Sequence, residues 1–409
     1  MSGPELSRVA APRSVLPYNA LIWLAVATFS NGIDGYVLAG LLPQISHGLG
    51  VSNAAAGQLV SVFALTVAFS APVLGAVTSG WERRRTIVGS IAFFVIGNLI
   101  TALAPVYPIA VCGRVIAALG AAVMNAAITG YVIHLAPVEH RGKALSFVLG
   151  GWMTATALGV PVGLLLGQSD WRFPLIMVAV VGTVALVGIM IKLPHLQLPP
   201  GSLRERLRPL GTPRLVAGLL VSTGILCASY TCFTYAVLIL TGPLHLGAHG
   251  WKIIVVMFGY GLASMVGNWV TGRLVDRFTP VRILTIWLIG LFVNAVTGAI
   301  SISTASAASL VVLALVWFFA AGIGNGGAAV PQQARLASMA PDSAAIVMAL
   351  NGSAISLGSA LGGGLGGLTL AAGNPPHRLL VVAAGILLLT LCLHAAVVRI
   401  SRRRAPALG

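Results

Sequence analysis

Long, nearly unbroken apolar runs alternate with short polar breaks from one end of the chain to the other. A helix needs about 20 apolar residues to cross the hydrocarbon of a bilayer. Runs of that order fall at 17–44, 54–79, 86–104, 108–134, 143–168, 172–193, 214–241, 250–275, 281–301, 307–337, 343–370 and 378–398, so twelve membrane-spanning helices are predicted. Only Ala104-Pro105-Val106-Tyr107-Pro108 separates the third run from the fourth, and its prolines favour a turn over one continuous helix. The polar break at 194–213, with Pro199-Pro200-Gly201, divides the chain near its middle. The pattern therefore predicts an all-α integral membrane protein. Its parts are a tail (1–16), a six-helix bundle (17–193), a linker (194–213), a second six-helix bundle (214–399) and a tail (400–409).

The two bundles read as copies. Gly75 opens the break after the second span, which ends in Arg83-Arg84-Arg85; Gly272 opens the break after the eighth, with Arg273, Asp276 and Arg277, an offset of 197. The fifth span carries Gly159, Gly163 and Gly167; the eleventh carries Gly358, Gly362 and Gly366, an offset of 199 from Gly159 to Gly358. Spacing of four places glycines on one helix face, where backbones approach closely. Such faces can be static packing, or surfaces that slide and seal as two halves rock. Pro161, inside the first ladder, predicts a kink. Two copied bundles joined by a basic linker suit a rocking transporter with its site between the halves.

Composition agrees with the run pattern: 57% of residues are hydrophobic and 8% charged, against roughly 25% charged in soluble domains. A net charge of +16 suggests nucleic acid, but placement argues otherwise. Of 24 Lys and Arg, only Arg172, Lys252 and Arg378 fall in the breaks of one side and Arg114 within a span. The other 20 lie on the opposite side, which the positive-inside rule makes cytoplasmic, with both termini. The start is too polar, and its first apolar run too long, for a cleavable signal. The four cysteines sit inside apolar runs without metal-ligand spacing, and the eight histidines are scattered. That pattern disfavours a membrane enzyme, which clusters such groups at an interface. A sensor would need a signalling domain that the short tails do not hold.

Of eight acidic residues only Asp34 falls in the middle of a span. An aspartate there costs roughly 2.5–3.5 kcal/mol on insertion scales, so such acids face a cavity or a partner. Asn31, three residues earlier, shares its helix face. Arg114 lies about two turns inside the fourth span, where it can snorkel outward or pair with Asp34. Polar and aromatic candidates for a central cavity are Asn31, Asn125, Tyr230, Phe233, Tyr235, Asn268, Asn325, Gln332 beside Pro331, and Asn351. As a set they suit an amphipathic solute; singly, each also suits helix packing. Gly75, Arg83, Arg84, Gly272, Asp276 and Arg277 are candidate gating-loop residues, with Asp276 expected to latch to Arg273 and Arg277.

These stretches resemble the major facilitator superfamily, and within it the drug:proton antiporter branch of arabinose-efflux-permease-like and chloramphenicol-exporter-like proteins. The resemblance rests on GIDGYVLAGLLP from Gly32 to Pro43, VSNAAAGQ from Val51, the loop Gly272-x-x-x-Asp276-Arg277, Arg114 to Gly120 in the fourth span, and Gly159-Val160-Pro161-Val162-Gly163 in the fifth. Phe233-Thr234-Tyr235 and Ala349-Leu350-Asn351 also fit. It implies the twelve-helix major facilitator fold, proton transfer through Arg114, and export. Three positions depart: Ser79 stands where the family usually has Asp, Gly35 where the group often has Glu, and Ala121 where it often has His.

The expectation is a secondary active transporter that expels small amphipathic compounds of the drug, sugar or nucleoside class by alternating access. Asp34 and Arg114 would couple it to protons. No Walker-type nucleotide loop is present. A proton gradient, worth about 2.3 kcal/mol per charge per 100 mV, would drive it without a cofactor. An uptake symporter or a facilitator fits the same pattern. Further expectations are a small-molecule solute and the lipid bilayer as partners, no nucleic acid, a monomer, and residence in a bacterial inner membrane.

Overall fold

The computed structural model describes residues 18–197, 201–242, 251–275, 277–304 and 310–403. Among the described residues, twelve helices are long and apolar enough to cross a membrane. They are α1 (Tyr18–Leu49), α2 (Asn53–Val77), α3 (Arg83–Ala102), α4 (Tyr107–Leu135), α5 (Arg141–Gly167) and α6 (Arg172–Lys192), followed by α7 (Pro213–Phe233), α8 (Trp251–Val275), α9 (Pro280–Thr304), α10 (Leu310–Met339), α11 (Ala344–Ala371) and α12 (Arg378–Arg403).

Local chemistry sets the helix ends. Gly50, at φ 64°, stops α1 where a side chain would be strained. The Ser52 hydroxyl caps α2 by accepting from the Ala55 amide (3.1 Å). The expected seventh run, 214–241, divides at Thr234 into α7 and a short helix, Ala236–Thr241. The kink expected at Pro161 takes the form of a π turn over Ala155–Gly159. Proline has no N–H to give, and the extra residue in that turn absorbs the missing bond, so α5 runs on to Gly167.

The copies hold in three dimensions. In the first half α1 packs on α5 and α6, α2 on α4, α3 on α4 and α6. Adding six to every label gives the packing of the second half: α7 on α11 and α12, α8 on α10, α9 on α10 and α12. The glycine ladders serve these internal contacts. Gly159, Gly163 and Gly167 pack on Ile33, Val37 and Leu41 of α1. Gly358 and Gly362 lie against the backbone of α7, and Gly366 against Tyr235 just beyond its end. In this structure both ladders pack within their own half.

Contacts between halves are made by α2 with α11, by α5 with α8, and by residues 38–49 with Ala236–Thr241. The closest approaches of α2 and α11 lie in the half of those helices remote from the linker, and that of α5 and α8 near mid-span. Gly57 and Gly367 admit the Tyr235 ring and hydroxyl, Gly363 faces Ser61, and Gly261 approaches the Thr156 carbonyl, 2.7 Å from where its own Cβ would be. The Tyr235 hydroxyl donates to the Gly363 carbonyl (3.0 Å). At the linker end the halves make no comparable contact among the described residues. Asn125 and Thr129, mid-span on α4, are exposed there, as polar groups lining a water-accessible cleft are.

The linker is fastened to the first half. After α6 it returns over the α2–α3 turn: the Arg83 amide donates to the Leu196 carbonyl (2.8 Å), and the Tyr131 hydroxyl donates to the Pro194 carbonyl (2.8 Å). The Glu82 carboxylate caps α3 by accepting from the amides of Arg84 (2.8 Å) and Arg85 (2.9 Å), and also accepts from Leu196 (3.2 Å). Partial burial alone raises the Glu82 carboxyl, but these amides and His195 outweigh it and hold the group below the usual carboxylate range. A lowered folded-state value means the stabilisation is fully present above the ordinary glutamate value of 4.5 and is lost as pH falls through the lower folded value. Amide exchange at Leu196 and Arg84 should therefore be slow relative to its intrinsic rate at neutral pH and lose that protection in acid. In Glu82→Gln it should be faster at neutral pH by about tenfold, the worth of a charge-assisted bond, with little pH dependence of the protection.

Candidate functional site

The chemistry at the centre of the first half is built on α1. Its segment 30–34 is buried, and its polar groups each find partners across helices. The Ser30 hydroxyl donates to the Val178 carbonyl on α6 (2.8 Å), and the Asn31 amide to the Asn125 side-chain oxygen on α4 (3.1 Å). One turn on, Asp34 Oδ1 accepts from Arg114 Nη1 at 2.6 Å, and both side chains are 1% exposed or less. Arg114 is also held by α2: Nε donates to the Leu59 carbonyl (3.4 Å), and the guanidinium lies over the Phe63 ring, 4.2 Å from its centroid. Of the two readings of Arg114, pairing inward is the one observed; it does not snorkel. Asp34 Oδ2 is buried with no hydrogen-bond partner among the described residues. The pair thus offers one unfilled basic oxygen beside a fixed cation. A proton added there would cancel the charge that holds Arg114.

Next to the pair is an aromatic cluster that bridges the halves. Tyr36 of α1 meets Trp152 of α5 (6.2 Å, edge-on), and from the second half Tyr230 (6.4 Å) and Phe233 (5.5 Å, edge-on). Phe233 continues the chain to Tyr260 of α8 (5.1 Å). Such a surface offers ring faces with a few hydroxyls at their edges, which suits a flat amphipathic solute. Behind it, within the second half, is a cavity of about 40 Å³ lined by Ser229, Cys232, Tyr260, Asn294, Trp317 and Asn325 among others. That is room for about three ordered waters.

The candidates thus separate into groups. Asn31, Asp34, Arg114 and Asn125 come together; Tyr230 and Phe233 line the bridge; Asn325 faces the small cavity. Tyr235 is fully buried in the seal between α2 and α11, so its place is the closure and not the cavity. Gln332 and Asn351 are also buried: Gln332 donates to the Ser222 hydroxyl (2.8 Å) and the Gly218 carbonyl (2.7 Å), and Ser222 donates to Asn351 Oδ1 (2.6 Å). This network ties α7, α10 and α11 together, a packing role in place of a solute contact. Asn268, half-buried on α8, joins none of these groups. Of the gating-loop residues, Gly75, Arg83 and Arg84 contact the linker: Gly75 lies under Arg206, and Arg84 meets His195 and the Met190 carbonyl. Gly272 faces open space and Arg277 is exposed. Asp276 lies outside the described residues, and Arg273, its expected partner, stacks on Trp269 (3.5 Å).

Three features were not anticipated: Tyr36, the glycine row facing the other half (Gly363 and Gly367), and a second buried cation. Arg335 of α10, 4% exposed, donates to His394 Nδ1 of α12 (2.7 Å). A guanidinium cannot accept, so Nδ1 must, and Nε2–H then donates to Thr285 of α9 (2.9 Å). Histidine at 394 among leucines was the available signal.

Comparison with known proteins agrees with this geometry. The sequence profile described as Major Facilitator Superfamily matches residues 24–317. An uncharacterised MFS-type transporter of Bacillus subtilis, YbcL, is 29% identical over 354 residues, 84% of this chain and 87% of that protein. The chloramphenicol resistance protein of Streptomyces lividans is 35% identical over 274 residues, 65% of this chain and 69% of its own. Among solved structures, a bacterial homologue of the human lysosomal transporter Spinster superposes with a TM-score of 0.73 at 15% identity, over 96% of this chain and 100% of that one.

Proposed function

Because the chain belongs to the Major Facilitator Superfamily, a family of secondary transporters, we propose that it is a proton-coupled exporter of small, flat, amphipathic compounds. One observation carries this reading. The single acid in the middle of a span is buried beside a single arginine, with one carboxylate oxygen unfilled, two residues along α1 from Tyr36 of the aromatic bridge between the halves. Binding a proton at Asp34 would release Arg114, and α2, which holds Arg114 at Leu59 and Phe63, also carries the seal at Gly57 and Ser61. The closed end and the cleft at the linker end correspond to one state of an alternating-access cycle. The basic linker end is taken as cytoplasmic, and the membrane as a bacterial inner membrane, since the relatives are bacterial. A relative named for chloramphenicol resistance supports export, and the Tyr36–Tyr230–Phe233 surface supports a solute with a ring.

Everted vesicles carrying the protein test the reading. With an imposed pH gradient, they should accumulate chloramphenicol-like, sugar or nucleoside test compounds above empty vesicles, and lose them when the gradient is collapsed. Uptake that ignores the gradient would instead identify a facilitator and remove any coupling role from Asp34.

A further inference from the structure

The hydrogen bonds that fasten the linker to the α2–α3 turn leave two arginines without a counter-charge. Arg83, 8% exposed, donates from Nη2 to the Ser79 carbonyl (2.9 Å), and its Nε is buried with no partner. Arg206, on the linker helix Leu203–Leu207, lies half-buried across Gly75, where a methyl group would sit 3.0 Å from Nη1. The two guanidinium groups are close enough for the charge of Arg206 to act on Arg83.

Neither arginine is in an ion pair among the described residues. The nearby carboxylates are committed elsewhere: Glu82 to the amides of Arg84, Arg85 and Leu196, and Glu205 to the amide of Ser202 (3.1 Å). Burial alone pushes Arg206 below its ordinary value, as expected of a cation short of a counter-ion. Two partly buried like charges are costly unless an anion lies between them.

We propose that Arg83 and Arg206 form a binding site for a phosphate-bearing anion, which bridges the linker to the α2–α3 turn. Planar guanidinium forks match phosphate oxygens in pairs. The backbone amides at the start of α3 are already filled by Glu82, so the site is made of side chains. Gly75 leaves room for Arg206 to reach it. Ser79 is neutral: its hydroxyl accepts from the Gly201 amide (2.9 Å) and lies within donating distance of the Ala76 and Gly201 carbonyls. A carboxylate at 79 would neutralise the arginines itself and repel the anion. The site is independent of the transport reading, since it touches neither Asp34 nor the aromatic bridge.

The phosphate can come from a lipid headgroup or from a free anion, and the test separates them. The full chain is purified in a detergent with an uncharged headgroup. Its thermal stability is titrated with inorganic phosphate against chloride of equal ionic strength, and retained phosphatidylglycerol and phosphatidylcholine are counted by native mass spectrometry. A saturable, phosphate-specific rise in melting temperature identifies a free-anion site; preferential retention of phosphatidylglycerol identifies a headgroup site. In either case Arg206→Gln should weaken the effect by roughly tenfold or more, the loss of one charge-assisted fork, while Arg208→Gln on the exposed face should not. Arg206 is on a short surface helix, so its replacement leaves the bundle intact; Arg83→Gln is the second variant. Phosphate acting no better than chloride together with no preference between the lipids would overturn the proposal. So would an Arg206→Gln protein that behaves as the parent.

Discussion

Asp34→Asn should reduce gradient-driven accumulation to the level of empty vesicles, at every imposed pH difference. Asparagine keeps the shape and can still accept from Arg114, but it cannot take up and release a proton. The same change leaves Arg114 as an uncompensated buried cation, and breaking one side of a buried pair costs about 3–5 kcal/mol. A loss of transport alone would therefore be ambiguous between coupling and folding. The double variant Asp34→Asn/Arg114→Gln separates the two. With both charges removed, thermal stability should return most of the way to that of the parent, because a buried pair replaced as a unit is close to neutral. Gradient-driven transport should stay absent. Full pH-dependent transport in Asp34→Asn would place the proton elsewhere.

Gly57→Leu should shift the resting conformation. A Cβ at Gly57 would lie 2.6 Å from atoms of the Tyr235 ring, and Tyr235 is pinned on its far side by Gly363 and Gly366. Overpacking of this kind costs about 1–3 kcal/mol. The cost falls only on the state in which α2 and α11 touch, so the population should move toward the opposite opening by roughly 5- to 150-fold. Spin labels at positions 52 and 372, at the sealed ends of α2 and α11, read this as a longer distance. Gly89→Leu, on an open face of α3, is the control and should leave the distance unchanged. An unchanged distance in Gly57→Leu would mean that this contact does not hold the end shut.

Much of the architecture was legible because hydrocarbon thickness fixes how long an apolar run must be. The twelve spans, the copied halves and the isolation of Asp34 all follow from that constraint and from the cost of a charge in lipid. The faces of the helices were harder to read. In α11, Gly358, Gly362 and Gly366 form one row and Gly363 and Gly367 another, offset by one residue, or about 100° around the helix. The first row packs on α7 and its neighbour Tyr235, the second on α2. Spacing alone cannot say which row faces which partner, since the rotation of the helix is set by packing on its neighbours. The same ambiguity hid Tyr235. It reads as one more polar group for a cavity, and only the small residues opposite it on α2 make it part of the closure. Gln332 and Asn351 were opaque for another reason. Their partner, Ser222, is common in apolar spans and gives no signal of its own.

One consequence follows from how α2 is used. Gly57, the Leu59 carbonyl, Ser61 and Phe63 fall within seven residues of one helix, about 9 Å along its axis. The first and third belong to the closure, the second and fourth to the arginine that holds Asp34. Communication between the proton site and the gate therefore needs no relay across the molecule; one rigid rod carries both. Linkage makes the exchange reciprocal. Whatever free energy protonation delivers to the gate, moving the gate must return to Asp34 as an equal change in its affinity for the proton.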